Sequence, residues 1–264
     1  MSELAVEGLR AERDEILAIC RTLSAHEWHA PSACAGWAVR DVIAHMGSIF
    51  HGVIDPTRMP DLSVGAEAAM EGPVAERRSW TVEQVLEEYE TYSEQALAVV
   101  AMAQDPPLSE TMLPMGDLGE HPMSMLASTF TFDAYCHLRN DVLVPHGPVE
   151  RPEPERDEKR LAPTIEWMLA GLPWMSQAKL AFVDRPVALT LTGPGGGTWT
   201  IAPGGDDGRV LVTEGPSPGV VATITSSGHD FVRWATHRAE WRDYVTIDGD
   251  VEYATRVLDA THVF

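Results

Sequence analysis

Residues 36–50 read GWAVRDVIAHMGSIF, and their periodicity decides the architecture of the first half of the chain. Val42, Ile43, Met46 and Ile49 recur at helical spacing and form one apolar stripe. The spacing predicts a helix from about Val39 into Ile54, stopped before Pro56. His45 falls on that stripe, so its ring faces whatever the helix packs against. The same period recurs on both sides. Leu9, Ile16, Cys20 and Leu23 predict a first helix ending near Ser24. The loop HEWHAPSACAGW, with Pro31 and Gly36, separates it from the second. Residues 55–79 carry three prolines and two glycines and read as a long loop with room for a short helix. Thr81 with Gln84 forms a capping box. Behind it Val82, Val85, Leu86, Tyr89, Ala96 and Val100 mark a third helix, ended by Pro106 and Pro107. A fourth runs from about Met123 to Val144. Four helices with one long connection imply an antiparallel bundle.

The pattern changes after 145–160, PHGPVERPEPERDEKR, which has four prolines and almost no apolar residues. This composition reads as a linker. It divides the chain into a bundle over 1–145, a linker over 146–160 and a second domain over 161–264. In the second domain a helix near 161–178 precedes VALTLT, TWTIA, RVLVT and VVATIT. These β-branched runs, separated by PGGG and GGDDG turns, predict a small antiparallel sheet of hairpins. Neither glycine cluster leads into a helix bearing Lys-Ser or Lys-Thr, so neither reads as a phosphate loop. Helices near 228–237 and 248–260 follow, the last capped by Asp248. The fold class is α+β in two domains.

Lys and Arg number 19 against 40 Asp and Glu, a net charge of −21 over 264 residues. Such a surface repels phosphates and anionic lipid, which excludes a free-standing nucleic-acid binder and a membrane-surface protein. With 44% hydrophobic and 22% charged residues the chain is ordinary for a globular protein. It has no apolar run near the roughly 20 residues of a membrane span and no signal-peptide layout at its start. Cys20, Cys34 and Cys136 are too few and too far apart for a disulfide framework. The expected compartment is a reducing cytoplasm.

Chemistry concentrates in residues 132–141, FDAYCHLRND. Asp133 and His137 are four apart on a helix and share one face. That pair reads either as an ion pair or as two ligands gripping one metal. His45 reads either as a satisfied core histidine or as a third, inward-facing ligand from another helix of the bundle. Together the three give two nitrogens and one oxygen and leave a coordination position open, as in catalytic zinc sites. Cys34 reads as a packed loop residue with no base in view, Cys136 as a small buried hydrophobe, and His51, six residues past His45, as turned away from it.

GWAVRDVIAHM, preceded by Trp28-x-x-Pro31-Ser32-x-Cys34-x-Gly36-Trp37, resembles the N-terminal segment of mycothiol-dependent maleylpyruvate isomerase-like proteins, which have a DinB-type four-helix bundle. FVRWATHRAEW and IDGDVEYATRVLDATHVF resemble that family's C-terminal α+β domain, related to sterol-carrier folds. The resemblance implies zinc or another divalent metal on His45, Asp133 and His137. It implies the low-molecular-weight thiol mycothiol as co-substrate, and a small electrophilic substrate. It also implies an arginine of the second domain that helps bind substrate or thiol, and Arg238 stands at the matching place. The expected activity is isomerase or S-transferase. The alternatives are a non-enzymatic small-molecule or lipid carrier and a metal-dependent biosynthetic enzyme that uses no thiol. A monomer or small homo-oligomer is expected. Two positions depart from the family pattern: Asp133 stands for the usual Glu, and Ala38 for a Thr that would cap the second helix.

Overall fold

The computed structural model describes residues 2–204 and 207–263. The chain divides into two compact units, Met1–Glu155 and Arg156–Phe264. The first unit is helical: α1 (Ser2–Cys20), α2 (Ala25–His29), α3 (Val39–Ile54), α4 (Ala66–Arg77), α5 (Val82–Met102) and α6 (Leu126–Cys136). The bundle is formed by α1, α3, α5 and α6, with α3 against α5 and α1 against α6. Ile16, Val39, Val42, Val85, Tyr89, Ala96 and Val100 are sealed between them. At Gly47 a Cβ would lie 3.4 Å from the Tyr89 backbone, the near edge of ordinary van der Waals contact, so α3 and α5 pack closely there.

Local chemistry explains where the helices start. The Thr81 and Gln84 capping box opens α5, and a second box, Ser24 with Glu27, opens the short α2. At α3 the N-cap Ala38 has no side-chain acceptor, and Asp41 reaches back to accept the Ala38 backbone N–H at 3.0 Å. The loop expected at 55–79 contains the twelve-residue α4. That helix begins after Gly65 at φ +95° and is capped from a distance, since Asp117 accepts the Ala66 N–H at 2.9 Å. The fourth bundle helix changes character at His137: residues His137–Val142 form a π-helical turn. A two-stranded ribbon, β1 (Met112–Pro114) and β2 (Glu120–Pro122), lies between α5 and α6.

Residues 146–155 are folded onto the first unit and do not form a linker. Val149 is fully buried and bridges to Leu143. Arg151 donates to Glu27 at 2.9 Å and to the Thr22 carbonyl at 3.0 Å. The boundary of the units therefore lies after Glu155, and α7 (Glu158–Met175) opens three residues later with Asp157 as its cap.

The second unit holds α7, α8 (Gln177–Leu180), α9 (Gly228–Ala235), α10 (Val251–Ala260) and five strands. These are β3 (Val187–Thr192), β4 (Gly197–Ala202), β5 (Leu211–Glu214), β6 (Ala222–Ser227) and β7 (Thr246–Gly249), in the order β5-β4-β3-β6-β7. The sheet is mixed where an antiparallel one is expected. β6 pairs parallel to β3, while the other neighbours are antiparallel. The expected cap Asp248 belongs to β7, and Asp250 caps α10 by accepting the Tyr253 N–H at 3.0 Å. Part of the GGDDG turn, Gly205 and Asp206, lies outside the described residues. Among the described residues no helix is long and apolar enough to cross a membrane.

Candidate metal centre

The bundle brings His45, Asp133 and His137 together from α3, α6 and the start of the π turn. Nε2 of His45 and Nε2 of His137 each stand 3.4 Å from the same carboxylate oxygen, Oδ1 of Asp133. The two rings lie 5.0 Å apart at 77°. One ligand atom from each residue fits within 4.8 Å of the others. A spacing of 3.4 Å is long for a hydrogen bond. It suits a shared ion better: two ligands at about 2.0–2.1 Å from zinc, spread at the tetrahedral angle, stand roughly 3.3–3.4 Å apart. Donor chemistry and spacing thus both fit a divalent metal. His45 is buried and its Nδ1 has no hydrogen-bond partner, a polar atom held at the site at a cost to the fold. The Asp133 side chain keeps 23% of its surface exposed, which leaves solute a way in.

Electrostatics bind the set without an ion. Burial works against ionisation of Asp133, but His45 and then His137 outweigh it and hold the carboxyl well below its usual range. Burial likewise disfavours a charged His137. The charge of Asp133 and its hydrogen bond, then those of Asp141 and Cys34, raise the ring well above its usual value. A metal taking Nε2 of His137 displaces a proton from it.

One short loop reaches both histidines. It is closed by a Pro31–Ala38 bridge and by the Ser32 N–H and hydroxyl on the Trp37 carbonyl, at 2.9 and 2.8 Å. The Trp37 ring lies 5.2 Å from that of His45, and its indole N–H donates to Glu71 of α4 at 2.9 Å. At the other end, Cys34 Sγ is 3.6 Å from Nδ1 of His137. The reading of Cys34 as a residue with no base nearby is therefore corrected: 103 positions of sequence separate it from a ring it touches. Asp141 also lies against that nitrogen, with Oδ2 at 2.7 Å. Cys34, His137 and Asp141 form a second cluster with metal-ligand chemistry, sharing His137 with the first. Sequence reasoning passed over Asp141, although it repeats the four-residue step that singles out Asp133 and His137.

The other singled-out residues lie elsewhere. His51 turns away, as its spacing predicts, and bonds Glu88 at 2.8 Å while stacking on Tyr92. Arg238 belongs to the second unit. It follows α9 after His237, whose φ is 57°, and its backbone N–H bonds the Arg233 carbonyl at 2.8 Å.

Comparison with known proteins agrees with the fold. Residues 9–138 match the family described as Mycothiol maleylpyruvate isomerase N-terminal domain. Solved structures of the mycothiol-dependent maleylpyruvate isomerase and of a histidine-to-alanine variant superpose with a TM-score of 0.57 and 17% identity. Each match covers 95% of this chain and 95% of the other. At that identity the likeness establishes a common fold over both units. No curated protein matches the sequence. Residues 9–138 belong to the mycothiol maleylpyruvate isomerase N-terminal domain family.

Proposed function

We propose that this chain is a zinc-dependent enzyme, or one using another divalent metal, that joins a low-molecular-weight thiol to a small electrophile. The observation that carries the proposal is the pair of imidazole Nε2 atoms equidistant, at 3.4 Å, from one oxygen of Asp133. His45, Asp133 and His137 supply three ligands and leave a fourth position for a solute. Bound there, zinc favours the thiolate form of a thiol in its open position, which is the nucleophilic form. The family supports mycothiol as that thiol. Addition across a double bond, rotation and elimination make an isomerase; retention of the adduct makes a transferase. The chain's own residues shape what can react. The partly exposed edge of Asp133 admits the solute, and Trp37 covers the His45 ring. Arg238 is the anchor for a carboxylate on substrate or thiol, through two parallel hydrogen bonds. A reducing cytoplasm suits such a protein, with Cys20, Cys34 and Cys136 all as free thiols.

Elemental analysis of the purified protein tests the metal, with about one equivalent expected per chain. His45→Ala and His137→Ala should each abolish it, and full metal content in both variants would remove the proposal. Arg238→Met tests the anchor. Metal content should stay unchanged, while binding of an anionic thiol or substrate weakens by roughly 1.5–3 kcal/mol, about ten- to a hundredfold. Unchanged binding would free Arg238 from any part in recognition.

A further inference from the structure

Two carboxylates flank His137, one on each ring nitrogen, and their surroundings differ. Asp133 stands 3.4 Å from Nε2, shares that side with His45 and keeps 23% of its side chain exposed. Asp141 stands 2.7 Å from Nδ1 with 2% of its side chain exposed. The shorter distance is that of a charge-assisted hydrogen bond and is too short for two ligands of one tetrahedral ion. The second cluster is therefore closed to a metal as it stands, with its Nδ1–Oδ2 pair already bonded.

The backbone explains how Asp141 comes to the same line as Asp133. An α-helix advances about 100° per residue, so a residue eight positions on would sit roughly 80° off the line of the first. The turn from His137 to Val142 is π-helical, with the Leu143 N–H on the Leu138 carbonyl at 3.0 Å. This wider turn advances less per residue and swings Asp141 back beneath His137. The Ala33 N–H then bonds the Asp141 carbonyl at 3.0 Å, tying the carboxylate's backbone to the loop that carries Cys34 and Trp37.

We infer that Asp141 is the positioning residue of the metal centre: it takes the Nδ1–H of His137 and so fixes the tautomer that turns the Nε2 lone pair toward the metal. A buried carboxylate in this place also strengthens the imidazole as a donor. Cys34 shields the same nitrogen from solvent and is not a ligand. The inference rests on the proposed metal site, and its test separates the two.

The probes are zinc(II) by chelator competition and cobalt(II) by its visible spectrum, on the full chain. Asp141→Ala should weaken zinc binding by about ten- to a hundredfold and alter the cobalt spectrum. Asp141→Asn, whose amide oxygen still accepts from Nδ1–H, should recover part of the affinity. Cys34→Ser should leave both readouts near wild type. Side-chain nitrogen NMR of the zinc-loaded wild-type protein supplies a test that needs no variant. It should show His137 protonated at Nδ1 and metal-bound at Nε2. Metal on Nδ1, or an Asp141→Ala protein with wild-type zinc affinity and cobalt spectrum, would overturn the role of Asp141 and leave the metal site standing. A wild-type protein that binds neither ion would overturn both.

Discussion

Replacing His45 with Leu separates what this residue does for the fold from what it does for a metal. Among the described residues, its Nε2 in the metal-free protein bonds only Asp133, at 3.4 Å, and its buried Nδ1 has no partner. An unsatisfied buried polar atom costs about 1–3 kcal/mol, while an apolar side chain of similar volume leaves none. Removing the ring relieves that cost but forfeits the charge that does most to offset the burial of Asp133, with His137 still beside the same carboxylate. The two effects oppose each other, so metal-free His45→Leu should unfold within about 1–2 kcal/mol of wild type. The metal-loaded proteins should differ sharply. A ligand that binds only the folded state at a hundred times its Kd stabilises by about 2.7 kcal/mol. For a unit of this size that corresponds to a rise in Tm of roughly 5–11 °C. Wild type should show that rise on adding zinc, because the ion ties α3 to α6, and His45→Leu should show almost none. Far-UV circular dichroism melts with chelator and with zinc measure all four states. The reasoning fails if zinc raises both melting temperatures equally, or if the chelated variant loses several kcal/mol. The first result would take His45 out of the metal site, and the second would make it a structural histidine.

The three thiols should differ in reactivity. Burial pushes the Cys20 thiol up to about 12 against the opposing charge of Arg21, and Cys136 is likewise buried, whereas Cys34 is partly exposed. Brief alkylation of the native protein followed by peptide mass spectrometry should find the label on Cys34, and equal labelling of Cys20 would contradict the packing of α1. A second expectation concerns Glu27. The Ser24 backbone N–H, then Arg151 and the Ser24 hydroxyl, hold its carboxyl at about 2. With a folded value below the unfolded one, its contribution is complete above the ordinary Glu range near about 4.3 and is lost as pH falls toward the folded value. Carboxyl NMR should place the Glu27 midpoint near 2, and Arg151→Met should move it upward; a midpoint at the ordinary value would detach residues 146–155 from α2.

What the sequence made legible was local. The apolar period of 36–50 and the Thr81–Gln84 box lie within a few turns of the residues they organise, and both appear where they are expected. Asp133 and His137 were visible because a helix places them on one face, and His45 because a ring on an apolar stripe must point inward. Most of the unforeseen features depend on partners distant in sequence. α4 is capped by Asp117, 51 residues away. The charged, proline-rich stretch at 146–155 looks like a linker until Arg151 meets Glu27, 124 residues earlier. Thr alternating with Leu in β3 and with Ala and Ile in β6 announces both strands, but nothing in either run says that they pair in parallel. Cys34 becomes significant only when the loop before α3 is laid against the π turn after α6.

Asp133, the proposed carboxylate ligand, supplies the last test. A glutamate there adds one methylene, roughly 1.5 Å of reach. The backbone of α6 cannot yield much, because Ala134, Tyr135 and Cys136 beside it are buried. A longer side chain therefore either overshoots between the two rings or bows outward. The outward path is open, since 23% of the Asp133 side chain already faces solvent. Asp133→Glu should accordingly keep its zinc, with a cobalt spectrum shifted by the changed carboxylate position and an altered turnover. Asp133→Ala should lose the metal, because it removes the one oxygen that both Nε2 atoms face. Zinc lost from Asp133→Glu as completely as from Asp133→Ala would mean that the site is built around the shorter side chain. In that case the 3.4 Å spacing would be a requirement of this chain that a glutamate cannot satisfy.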